Sequence, residues 1–370
     1  MNAKYLVVTL IVVALLVFKV LFFTPIFREH LLFDEYHYVT AGKYIFYKLG
    51  ILPDFKPPYE SEITYSNNTI FINVTLHSEP VFIFIPHLRS DWYNLEHPIL
   101  AKLVFGFLLF TCNSIILTRL VLLMASTIVL LVFTYTLLKR YGVGVLMGFS
   151  ILLLADWVYV HFMYLAVLDT LMIMFLVLSI TLLYMRRYRL SILFLSLACA
   201  VKGIALVATI SYAVYFVFTR NKRYVVASIL VPLVALVLSY AVYLFFVDPM
   251  KLLSYIQGLM NISTMRRELW ILGLESTWGL FRLYTPLVWI WFPGLIAFIG
   301  LHRDEKVDPL EVLPYLLSML YLLLVVVLAF KRAIYPYYYA PLIILIAYPV
   351  KDLYCFIRIL PTLRGSVCVK

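Results

Sequence analysis

Long apolar stretches separated by short polar connections dominate this chain. A helix needs roughly 20 apolar residues to cross a hydrocarbon core about 30 Å thick. Nine stretches approach or reach that length, at residues 5–23, 115–138, 143–160, 166–185, 190–218, 224–246, 285–301, 309–330 and 334–350. The pattern predicts an all-α polytopic membrane protein, and we interpret residues 5–23 as a retained first anchor.

Short basic clusters between the stretches predict their direction. Residues 139–140, 186–189 and 220–223 and the tail from Lys351 are rich in Lys and Arg, which collect on the cytoplasmic side of membrane proteins. The segment 190–218 has a basic cluster at both ends, so both ends should be cytoplasmic. Its 29 residues are too few for two full spans. We therefore expect a broken helix pair that turns at a buried point near Lys202.

Counting that pair as two gives about ten transmembrane helices, with both termini cytoplasmic and two long segments, 24–114 and 247–284, outside. The first outer segment is the more informative. Residues 36–49 have the pattern of a helix lying in the membrane interface. Residues 63–85 alternate as in a small hairpin or sheet, and residues 98–110 form an apolar helix.

Composition agrees with a membrane location and narrows the chemistry. Hydrophobic residues make up 64% of the chain and charged residues 13%, too little polar surface to solvate a soluble domain of 370 residues. The net charge of +11 sits mostly in the short clusters, so it indicates topology and no nucleic acid partner. The four cysteines have no C-x-x-C spacing, which indicates neither a metal cage nor a disulfide framework.

Two adjacent carboxylates, Asp34 and Glu35, follow the first apolar stretch at the outer surface. A carboxylate there can act as general base on an acceptor hydroxyl, or it can cap the helix that follows. Asp169 in a short outer turn has the same two interpretations, functional acid or helix cap. Lys202 at the predicted break would line a cavity or extend to the interface.

The first outer segment also resembles a known family. Residues 33–38 (F-D-E-Y-H-Y) are similar to the F-D-E-x-H-F/Y motif of the protein O-mannosyltransferases, and residues 97–103 (H-P-I-L-A-K-L) to their H-P-P-L-G-K-L. Arg119, Leu168-Asp169 and residues 200–203 match further family positions in the same order. The resemblance covers about the first 220 residues.

This resemblance implies a GT-C fold and inverting transfer of mannose from a polyprenyl or dolichyl phosphate to a protein Ser or Thr hydroxyl. It implies Asp34 and Glu35 as catalytic carboxylates, and His97 and Asp169 as residues that orient the acceptor. From the residues themselves we expect Lys202, at the predicted break, to bind the donor phosphate together with Lys331, Arg332 and Tyr337, which follow the ninth stretch on the outer side against the positive-inside trend. Arg119 and Lys102, at family positions, complete the expected phosphate-binding set.

Some alternatives stay open from the sequence. Lys331, Arg332 and the tyrosines at 335–339 also fit an interfacial aromatic belt with flanking cations. We predict no required metal, because the histidines lack a tight ligand spacing, although a divalent ion bound through Asp34 stays open. The acceptor could be a lipid or glycan, and a transporter of a lipid-linked anion would also use buried charges. The expected location is a plasma membrane of prokaryotic type, with the active site on the outer side.

Overall fold

The computed structural model describes fifteen stretches of the chain. They are residues 3–29, 35–55, 63–66, 69–76, 79–85, 93, 95, 97–142, 160, 162–250, 252–253, 290–302, 307–329, 345 and 348–357. The predicted spans 143–160 and 334–350 and the outer segment 247–284 fall mostly outside these residues.

The chain is mostly helical. The helices are α1 (Ala3–Phe23), α2 (Glu35–Lys48), α3 (Leu100–Cys112), α4 (Ile115–Tyr141), α5 (Leu168–Tyr184), α6 (Tyr188–Val201), α7 (Leu206–Phe218), α8 (Lys222–Ala241), α9 (Trp291–Leu301) and α10 (Pro309–Ala329). Short 3₁₀ turns, Gly203–Ala205 and Val242–Phe245, precede α7 and follow α8.

Three helical stretches among the described residues are long and apolar enough to cross a membrane: Ala3–Phe23, Ile115–Tyr141 and Lys222–Phe245. Shorter apolar helices accompany them. Large apolar side chains on the long helices are exposed, such as Phe22 and Leu238, as expected for surfaces that face lipid. The predicted class, a mainly helical membrane protein, is confirmed at this level of detail.

The segment 24–114, which the sequence predicts to lie outside, contains both predicted kinds of element. Helices α2 and α3 match the two expected helices to within two residues at each end. Between them, β1 (Ile63–Ser66), β2 (Thr69–Leu76) and β3 (Glu79–Ile85) form an antiparallel sheet in the order β1-β2-β3. Ser66 pairs with Thr69, and Leu76 pairs with Glu79.

Helices α6 and α7 form the expected broken pair. The first residue of α6, Tyr188, contacts the end of α7, where its ring lies 5.4 Å from that of Phe216. One turn before Phe216 on α7, the hydroxyl of Tyr212 shares a hydrogen bond of 2.7 Å with Ser179 of α5. Ser179 also contacts Ser191 of α6. The pair is therefore a hairpin whose two ends lie together, and Lys202 is at its apex.

The opposite ends of several helices meet in a cluster of cations and tyrosines, which we call the basic end. Arg140 at the end of α4 pairs with Asp308 just before α10. Its guanidinium lies 5.4 Å from the ring of Tyr184 at the end of α5. Tyr184 in turn stacks on Tyr348, and the Lys351 ammonium lies 4.3 Å from the ring of Tyr141. The basic clusters that the sequence assigns to one side of the membrane thus lie at one end of the bundle.

Helices α2 and α3 cross at two glycines. A Cβ atom on Gly42 would lie 2.6 Å from the carbonyl oxygen of Lys102 and 2.8 Å from the amide nitrogen of Gly106. The two backbones are therefore in direct contact. This contact brings the two motifs of the first outer segment next to each other, because one begins α2 and the other begins α3.

We expect Gly42→Ala to lower the apparent melting temperature of the purified protein. Alanine gains about 1 kcal/mol in helix propensity over glycine, but overpacking at a backbone contact costs about 1–3 kcal/mol, and here only backbone atoms could move aside. Gly203→Ala is the matched control, since its nearest neighbours are side-chain atoms of Leu236 at 3.7 and 3.9 Å. Equal melting of both variants and the wild type would contradict the close crossing.

Candidate active site

A buried ion pair joins the start of α2 to the start of α4. The Nε of Arg119 donates to Oε1 of Glu35 at 3.0 Å, and its Nη2 donates to Oε2. Both side chains are fully buried. Two parallel bonds between a planar guanidinium and a carboxylate fix direction as well as distance, so this pair orients the start of α2 against α4.

The same pair reaches two further segments. The Nη1 of Arg119 donates to the carbonyl oxygens of Ile26, at 3.3 Å, and Arg28, at 2.6 Å, just after α1. Glu35 Oε1 also accepts the backbone N–H of Ala166 at 2.9 Å, in the turn before α5. The pair therefore joins four parts of the chain: the end of α1, the starts of α2 and α4, and the turn before α5.

A second buried ion pair lies at the apex of the α6–α7 hairpin. The Nζ of Lys202 donates to both carboxylate oxygens of Asp169, at 2.7 and 2.8 Å. Lys202 interrupts the helix, with φ −150° and ψ 118°, and its carbonyl accepts the N–H of Ala205 at the following 3₁₀ turn. Asp169 is in the first turn of α5, where the helix dipole favours an acid.

The two pairs are neighbours. Ala166, which binds Glu35, is three residues before Asp169, a stretch of chain that spans at most about 10 Å. All described residues from 163 to 169 are buried. On α4, Arg119 is 21 residues from Arg140, a separation of about 32 Å along the axis. The two pairs therefore lie at the end of the bundle opposite the basic end, and we call this the site end.

Lys102 anchors the second motif of the outer segment. Its Nζ donates to the carbonyl oxygen of His97 at 2.8 Å and to the hydroxyl of Tyr243 at 2.5 Å. The Tyr243 hydroxyl donates to the same His97 carbonyl at 2.8 Å. The His97 ring lies 5.7 Å from that of Tyr38 on α2. His97 is thus held between α2, α3 and the end of α8.

Six of the ten candidate residues from the sequence are described, and they fall into these neighbouring groups: Glu35, His97, Lys102, Arg119, Asp169 and Lys202. The other four, Asp34, Lys331, Arg332 and Tyr337, lie outside the described residues. Arg119 and Lys102 were expected to bind the donor phosphate. In the structure both are fully buried and hold protein groups, so we assign them positioning roles.

Sequence reasoning missed two members of the site. Tyr243 is one of 29 tyrosines, and its position at the end of a long apolar helix gives no local signal. Ala166 takes part through its backbone N–H, and no residue type in the sequence marks a contact of that kind. Among the described residues, no group of three or more His, Cys, Asp or Glu side chains is placed to hold a metal ion.

Comparisons with models of protein families, with curated proteins and with solved structures find no match to this chain.

Removing one partner of the Glu35–Arg119 pair should destabilise the protein strongly. An uncompensated buried charge costs about 3–5 kcal/mol, so Glu35→Gln and Arg119→Gln should each lower the apparent melting temperature far more than a surface change. The double variant should lose much less than the sum of the two. Thermal unfolding in detergent measures all three.

The matched control is the Arg140–Asp308 pair, whose side chains are 26% and 44% exposed. Exposed pairs contribute about 0–1 kcal/mol, so Arg140→Gln and Asp308→Asn should have small, additive effects. Additive losses at Glu35 and Arg119 would show that the two side chains do not act as a pair.

Proposed function

We propose that this chain is a GT-C-type glycosyltransferase. It would move a sugar, mannose as the resemblance implies, from a polyprenyl or dolichyl phosphate to a Ser or Thr hydroxyl of a protein on the outer face of the membrane. The observation that carries the proposal is a pair of adjacent buried ion pairs, Glu35–Arg119 and Asp169–Lys202, at the site end. They bring together, beside α2, residues that are far apart in the sequence.

The placement of charge supports an outer site. The cations of the basic end collect where the positive-inside rule puts the cytoplasm, and the site end is about 32 Å away along α4. In this arrangement the tail of a lipid-linked donor stays in the bilayer while its phosphate reaches the boundary. Membrane lipids and the donor are then the partners of the apolar surfaces.

The proposed reaction needs a base and a cation. Asp34 takes the proton of the acceptor hydroxyl, and the oxygen attacks the anomeric carbon from the face opposite the phosphate, which inverts that carbon. The bond between the anomeric carbon and the phosphate oxygen breaks, and its electrons stay on the phosphate. Lys202 stabilises the charge that grows there, most effectively where water is scarce.

The other described residues support this geometry without touching the reacting atoms. Glu35 follows Asp34 directly in the chain, so its bonds to Arg119 and Ala166 restrain the backbone next to the proposed base. Lys102 and Tyr243 fix the backbone of His97, whose imidazole would orient the acceptor. Much of the rate then comes from positioning and electrostatics.

Transfer assays test this proposal. Purified protein is incubated with polyprenyl-phosphate-mannose and a Thr-rich peptide, and mannosylated peptide is measured by mass spectrometry. We expect Asp34→Asn to lower the rate about 10²–10⁴-fold, the usual contribution of a general base. Lys202→Met should also lose most of the activity, because the leaving group loses its counter-charge.

Asp54→Asn is the matched control, since Asp54 is an exposed carboxylate of the same outer segment. It should retain wild-type rates. Equal rates for Asp34→Asn and the wild type would remove Asp34 as the base. Product formed only on lipid or glycan acceptors would redirect the acceptor assignment, and movement of the donor across a liposome membrane without transfer would favour a transporter.

A further inference from the structure

The two ion pairs of the site end differ in how firmly they are held. Arg119 is fully buried, and its fork is also bonded to two backbone carbonyls. The side chains of Lys202 and Asp169 are 8% and 5% exposed. Lysine is a compact charge on a flexible stem, whereas arginine is a rigid fork. The Asp169–Lys202 pair is therefore the one that can change partner without rebuilding the bundle.

The Lys202 ammonium has three N–H donors, and two of its contacts go to one carboxylate. It can release one of those oxygens and take a phosphate oxygen in its place. Asp169 does not become an isolated charge in this exchange, because it keeps the positive end of the α5 dipole. The backbone at Lys202 is extended, and its bond to the hydrogen-bond ladder of α6 is the one that its N–H donates to the Ala198 carbonyl.

We propose that Asp169 is an exchangeable counter-ion for Lys202. When a lipid-linked phosphate binds, a phosphate oxygen replaces one carboxylate oxygen at the Lys202 ammonium, and Asp169 binds Lys202 with both oxygens again after the phosphate leaves. This inference rests on the proposed function. The donor phosphodiester carries one negative charge, equal to that of the carboxylate it displaces. Cleavage leaves a phosphomonoester with a second negative charge, and renewed competition from Asp169 then assists its release.

The exchange predicts a specific split between binding and turnover. Asp169→Asn removes the competing charge, so polyprenyl phosphate should bind more tightly by about 5–150-fold, the usual range for coupled sites. In the transfer assay KM for the donor and kcat should both fall, because product leaves more slowly. A carboxylate that only braced the fold would lower stability without tightening the binding of the lipid.

The experiment measures the binding of polyprenyl phosphate, and of neutral polyprenol as control, to the purified protein in nanodiscs. Wild type, Asp169→Asn, Lys202→Met and the exposed control Asp54→Asn are compared. We expect binding of the phosphate but not the polyprenol to the wild type and Asp54→Asn. It should be tighter for Asp169→Asn and much weaker for Lys202→Met.

The outcomes separate the two proposals. If the wild type and Lys202→Met bind polyprenyl phosphate equally, Lys202 is not the phosphate site and the proposed mechanism fails with the exchange. If Lys202→Met loses binding while Asp169→Asn binds no more tightly than the wild type, the phosphate site stands and the exchange is overturned.

Asp169→Asn leaves a buried ammonium without its carboxylate, and the variant could be too unstable to purify alone. Polyprenyl phosphate added during extraction should then restore a monodisperse protein, since the phosphate replaces the missing charge, and polyprenol should not. The double variant Lys202→Met/Asp169→Asn has no unpaired ammonium and should be monodisperse without added lipid. If it is, and polyprenyl phosphate still does not restore Asp169→Asn, the exchange is overturned.

Discussion

The site end depends on one constraint, a carboxylate and a guanidinium buried together where four segments meet. Desolvating two charges costs several kcal/mol per ion, so the Glu35–Arg119 pair contributes little net stability. Its value is in specifying geometry. The two carbonyls after α1 accept further bonds from Arg119, and the amide of Ala166 donates a further bond to Glu35. Any other arrangement of these segments would leave one of those charges buried and uncompensated.

The hairpin of α6 and α7 adds a second constraint that lipid imposes. Its arms of 14 and 13 residues are about 21 and 20 Å long, shorter than a hydrocarbon core. A chain that reverses at that depth must bury its irregular backbone in protein, because lipid offers no hydrogen bonds. The reversal meets this requirement, because Lys202 is buried and bonded to Asp169 of α5 and Gly203 lies beside the Leu236 side chain of α8.

Local patterns in the sequence predicted much of this fold. Basic clusters on both sides of 190–218, together with its length, predicted the hairpin and its break at Lys202, and alternation predicted strands within 63–85. Pairings between distant residues were not predictable in this way. Nothing around Arg119 indicates that its partner is Glu35, 84 residues away, and nothing marks Tyr243 as the partner of Lys102. The family resemblance named Arg119 and Lys102 and assigned them to a ligand, whereas in the structure both side chains contact protein groups.

Arg119 and Lys202 each have a carboxylate partner before any donor is bound. An unpaired buried ammonium would be costly in a bilayer, so the proposed site for a lipid-linked phosphate would need another anion beside Lys202 before the donor arrives. The two ion pairs divide the tasks. The arginine of the first pair is also bonded to two backbone carbonyls, the geometry of a fixed contact, and the proposed exchange gives the phosphate to the flexible stem of Lys202. In the proposed exchange the Glu35–Arg119 pair stays in place. The bond from Ala166 to Glu35 therefore holds the segment before Asp169 while Lys202 changes partner.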